Sequence, residues 1–80
     1  MKAQFAIIRF PEGWRVMQDG KKRGRFNFKI DAEEAALRLA EELRRAGRTV
    51  EVLVQNICGE LVRLALLEPL GEGDAEPRPA

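Results

Sequence analysis

The sequence predicts an α+β domain in which one helix covers one face of an antiparallel sheet, in the order β-β-β-α-β-β. Three observations carry that prediction. Residues 24–30, GRFNFKI, alternate apolar and polar as a strand does. Residues 31–46 repeat their apolar positions at helical spacing, between an acidic start and a glycine. Asp19-Gly20 lies between two strand-like runs and tolerates positive φ, which is the chemistry of a tight hairpin.

The elements follow in order. Residues 4–10, QFAIIRF, read as a first strand, and Pro11-Glu12-Gly13 supplies a turn. Residues 14–18, WRVMQ, alternate as a second strand that leads into the Asp19-Gly20 hairpin, and residues 24–30 are the third. Asp31 is expected to open the helix, with Glu34 three residues on completing a capping-box-like pair. Ala32, Ala36, Leu39, Leu43 and Ala46 make the buried stripe, with Ala35 and Ala40 beside it, and Gly47 is the stop. Glu34–Arg38 and Glu41–Arg45 are spaced as i,i+4 ion pairs on the solvated side. Residues 49–55, TVEVLVQ, read as a fourth strand with Val50, Val52 and Val54 on one face. Residues 56–59 turn, and residues 60–66, ELVRLAL, form the fifth strand. Residues 1–66 are thus one domain. Residues 67–80, rich in proline, glycine and acid, are expected to be a disordered tail.

Gly13-Trp14-x-Val16, Gly20, Arg23, and a helix carrying Glu34-Ala35 and Leu39-Ala40 resemble a family of small bacterial proteins catalogued as domain of unknown function 2188. The resemblance spans about residues 6–55. It implies this layout and a bacterial origin, and it brings no activity with it. The chain departs from the family in being one residue longer between Arg23 and the helix, and in lacking a polar, tyrosine-containing ending. The three strands followed by a helix, with a basic hairpin, are also similar to the arm-type DNA-binding domains of integrases, a likeness of fold alone.

Composition bounds the function. A chain of 80 residues has little core to spare, and such domains find support in disulfides, metals or partners. Cys58 is the one cysteine, so no internal disulfide forms, and without histidine no zinc site is expected. A second copy is what remains, and a homodimer is expected. No apolar run reaches the roughly 20 residues of a membrane span. The start of the chain lacks the layout of a signal peptide, and an unpaired thiol suits a reducing cytoplasm. Serine, histidine and tyrosine are absent and Thr49 is the one threonine, so serine- or histidine-based nucleophilic catalysis is excluded. Neither a phosphate loop nor a dinucleotide fingerprint occurs. The glutamates of the helix lie among arginines as a solvated face. The chain is therefore expected not to be an enzyme and to need no cofactor, metal or small-molecule ligand.

Charge is divided unevenly. Residues 1–30 hold eight basic and two acidic residues, residues 31–80 six basic and eleven acidic, within a net charge of +1. Period-two reading turns Phe26, Phe28 and Ile30, Trp14 and Val16, and Ala6, Ile8 and Phe10 toward the helix. The open face then carries Arg9, Arg15, Arg25 and Lys29, with Lys21, Lys22 and Arg23 at its rim, a surface suited to phosphates. The alternative is an edge hairpin kept charged against aggregation. The same face would show Phe5, Ile7, Met17, Leu53, Leu61 and Ala65, an apolar surplus that points to a partner. Trp14 reads as a core anchor and Cys58 as a small turn residue. The expected function is a protein-interaction or self-assembly module, with nucleic-acid binding as the alternative.

Overall fold

A computed structural model describes residues 2–69. Five strands and one helix follow in the expected order: β1 (Lys2–Phe10), β2 (Gly13–Gln18), β3 (Lys21–Phe26), α1 (Lys29–Arg45), β4 (Thr49–Gln55) and β5 (Leu61–Leu67). The sheet order is β3-β2-β1-β4-β5. It is a mixed sheet rather than the antiparallel one expected, because β4 lies parallel to β1. The cause is the helical crossover. β3 runs antiparallel to β2, and β2 to β1. A helix that carries the chain from the end of β3 back across the sheet delivers the next strand in the same direction as β3, hence parallel to β1.

One side of the sheet is sealed by α1. Ala32, Ala35, Ala36 and Ala40 are its buried residues, with Leu39 and Leu43 packed at the margin. These small side chains let the helix lie close on Ala3, Phe5, Ile7, Val16, Val50, Val52 and Val54. The parallel register places Ala3, Phe5 and Ile7 beside Val50, Val52 and Val54. No polar or charged side chain is buried among the described residues.

This reverses the expected facing of the first strand. Phe5 and Ile7, placed above on the open face, are fully buried under the helix, and Ala6, Ile8 and Phe10 are on the open side. Both parities of AQFAIIRF are apolar, so alternation alone does not choose between them. The choice is made by Gln4, which shares a side with Ala6, Ile8 and Phe10 and would have been buried with them without a partner. The adopted register sends Gln4 to the open side and leaves Arg9 exposed near the end of β1.

The third strand also departs from expectation. It begins directly after the two-residue Asp19-Gly20 turn, where φ is 48° and 88°, and ends at Phe26 instead of Ile30. Phe28 is the N-cap, with φ −123° and ψ 146°, and α1 starts at Lys29, two residues before Asp31. Asp31 therefore sits in the first turn, where it suits the helix dipole, and caps nothing with its side chain. Phe28 and Ile30, expected inside, are 65% and 62% exposed. At its other end α1 closes as predicted. Gly47 has φ 92°, its N–H donates to the Arg44 carbonyl, and the Arg48 N–H donates to that of Leu43. Of the expected i,i+4 ion pairs, Glu41–Arg45 forms at 3.5 Å, while Glu34 and Arg38 are not within 4 Å of each other.

The sheet has two register shifts. One between Val16 and Met17 leaves Arg23 as the extra residue of β3, and one between Val52 and Leu53 leaves Leu64 as the extra residue of β5. Leu67, assigned above to the tail, ends β5 and packs against the core. Glu68 and Pro69 follow outside any helix or strand, and the expected tail from residue 70 onward lies outside the described residues.

Candidate interaction surfaces

The basic residues fall into two groups. On the open face, Arg15 of β2 stands directly opposite Arg25 of β3, and Lys22 lies opposite Met17. Lys21 follows the hairpin and Arg23 projects from the bulge, so β3 is an edge strand carrying four cations. The Arg15 guanidinium lies 3.9 Å from the centre of the Phe10 ring. Arg9 and Lys29, expected on that face, are instead on the helix side. They approach the Trp14 ring at 5.8 and 5.9 Å, and Trp14 itself packs against the core as predicted. Lys29 also pairs with Glu33 at 3.8 Å. Among the described residues no carboxylate comes within 4 Å of Arg9, Arg15, Lys21, Lys22, Arg23 or Arg25. Lys2, Arg44, Arg45 and Arg63, in contrast, do meet glutamates.

A recess of about 150 Å³ opens beside the Arg15–Arg25 pair, lined also by Phe10, Glu12, Trp14, Phe26 and Asn27. Its floor depends on Gly13, whose φ is 144°. A Cβ there would stand 2.4 Å from the Phe26 carbonyl oxygen, so no other residue fits without displacing β3.

The opposite edge is different in kind. β5 reads LVRLALL, and Leu61, Val62, Leu64 and Leu66 are 47%, 42%, 40% and 39% exposed. Its one charge, Arg63, is held by Glu51 at 3.1 Å. Glu51 also accepts from the Gln4 amide at 3.3 Å and lies 3.5 Å from Lys2. The Gln4 and Arg63 hydrogen bonds, helped by the Lys2 charge, hold the Glu51 carboxyl below its ordinary range. Glu41 is lowered likewise, by its hydrogen bond from Arg44 first and by Arg45 beside it.

The predicted partner residues are thus divided. Leu53 and Met17 do lie on the open face, half-buried among their neighbours, and Leu61 continues that face onto β5. Phe5 and Ile7 are core. Ala65, expected beside them, turns to the helix side opposite Val52. Val62, Leu64 and Leu66 had no place in the prediction. Their signal was the failure of residues 61–67 to alternate, which is the mark of a strand apolar on both sides.

The Asn56 side chain accepts from the Cys58 and Glu60 N–H groups, both at 2.9 Å, and Cys58 is exposed in that turn. Among the described residues no three His, Cys, Asp or Glu side chains converge, and no helix is long and apolar enough to cross a membrane. Comparison with family models, curated proteins and solved structures finds no match to this chain, so the resemblances noted in the sequence gain nothing from it.

Proposed function

We propose that this chain is a non-enzymatic self-association module whose partner is a second copy of itself, joined along β5. The observation that carries this reading is the contrast between the two sheet edges. β3 bears Lys21, Lys22, Arg23 and Arg25, the usual guard against edge pairing. β5 has one charge, already neutralised within its own chain, and four large apolar side chains in water. Electrostatics favours the same choice. Two copies meeting through β5 bring together neutral strips and hold their cationic β3 edges at opposite extremes.

Magnitudes set the expected strength. Burying a Leu or Val side chain completely is worth about 1.5–3 kcal/mol, so removing the remaining two-fifths of exposure gains roughly 1 kcal/mol each. Eight such side chains across two copies gain at most about 8 kcal/mol before the cost of association, since they lie on both faces of the sheet, which places the pair among weak, concentration-dependent dimers. The bulge at Leu64 confines backbone pairing to short stretches on either side of it, so side-chain burial is the main term.

Sedimentation velocity tests the reading. The wild type is expected to shift from monomer toward dimer as concentration rises through tens of micromolar. A Leu61→Lys/Leu64→Lys variant, changed at exposed positions, is expected to stay monomeric with an unchanged circular dichroism spectrum. A wild type that remains monomeric at the highest concentration defeats the proposal, as does a variant that dimerises as well as wild type.

A further inference from the structure

We infer that the β2–β3 edge binds single-stranded nucleic acid, with phosphates along the cations of β3 and a base in the recess beside Arg15. This inference does not rest on self-association, because it uses the other edge of the sheet.

A guard against edge pairing accounts for the cations of β3 and leaves Arg15 unexplained. A guard needs charge on the edge strand alone. Arg15 is on β2, an interior strand flanked by β1 and β3, and it faces Arg25 directly across the pair. Like charges in that position destabilise a sheet. No carboxylate among the described residues comes within 4 Å of either, and Phe10 beneath the Arg15 guanidinium holds it in place. A fixed pair of cations that weakens its own fold is what an anionic ligand would repay.

Spacing and shape fit the same ligand. From Lys21 to Arg25 the strand covers about 13 Å at roughly 3.3 Å per residue, room for several successive phosphates. The recess of about 150 Å³ is too small for a drug-sized molecule and has the volume of one planar base, with aromatic rings among its lining. Asn27 supplies both a donor and an acceptor there. Glu12, which lines the recess, would repel a phosphate, which assigns the recess to a base and the outer edge to the backbone. A base is free to enter only when it is unpaired, hence a single strand.

The test is fluorescence anisotropy with labelled single-stranded DNA and RNA 20-mers. A duplex of the same sequence, poly-glutamate and phosphatidylglycerol vesicles serve as competitors. With about four phosphates neutralised, affinity for single strands is expected to fall about 50-fold between about 50 and 200 mM salt. Arg25→Glu is the decisive variant, because it replaces a repelling pair by an attracting one and so leaves the fold at least as stable. It is expected to weaken binding tenfold or more with an unchanged circular dichroism spectrum, and Lys21→Glu/Lys22→Glu to flatten the salt dependence. No binding at tens of micromolar in low salt overturns the inference. So does binding that Arg25→Glu leaves unmoved, or a duplex, poly-glutamate or vesicles held as tightly as the single strand.

Discussion

At the scale of single residues, charge placement has consequences that can be measured apart from any ligand. The Arg15–Arg25 pair sets like charges directly across two strands, and Arg25→Glu turns that repulsion into attraction. The variant is expected to gain about 0.5–1 kcal/mol of unfolding free energy in urea at low salt, a gain that shrinks as salt is added. Glu51 gives the reverse case, a charge well provided with partners. Its folded carboxyl titrates below the ordinary value of 4.5. The stabilisation is therefore complete above that pH and is lost as pH falls through the lowered folded value. Glu51→Gln is expected to lower stability at neutral pH and to make urea midpoints less sensitive to acidification below pH 4.5 than those of the wild type.

At the scale of elements, the start of α1 has an unused resource. Phe28 occupies the N-cap with a backbone ready for a capping side chain, yet it makes no cap hydrogen bond. Phe28→Asp is expected to stabilise the protein by about 1 kcal/mol in thermal or urea unfolding, through a carboxylate bonded to a first-turn N–H. The same junction marks where the sequence could be read and where it misled. Asp19-Gly20 and Gly47 were legible because each needs positive φ at a fixed place, and the valines of β4 because only one of its parities is apolar throughout, the other holding Thr49, Glu51 and Gln55 beside Leu53. β1 was ambiguous because both parities are apolar, and Gln4 was the cue that decides it. The end of β3 was obscured because Phe26, Phe28 and Ile30 continue a period of two, although the chain turns at Asn27. Local alternation also carries no information on how a crossover orients the next strand, so the parallel pairing of β1 with β4 came from topology. The placement of the candidate residues follows from the same features. Arg15 and Arg25 lie on the open face as expected, and Lys22 with them, while Arg9 moved to the Trp14 side with the register of β1, and Lys29 because α1 begins there.

At the scale of the whole molecule, the two proposed surfaces no longer compete for one face. The proposed self-association would use β5, and the cationic strip lies at the opposite edge, two strands beyond β1. Since dimerisation stabilises only the folded state, the unfolding midpoint should rise with protein concentration. A midpoint independent of concentration would count against pairing along β5.

The unequal edges also set how large an assembly can become. A pair related by a twofold axis uses the same strand from each member, and what it leaves outward is β3 twice over. Each additional chain would have to dock against Lys21, Lys22 and Arg23, so growth of the proposed pair would end at two. Were those three side chains neutral, every pair would still present an adhesive border, and nothing in the architecture would stop it from extending into a ribbon.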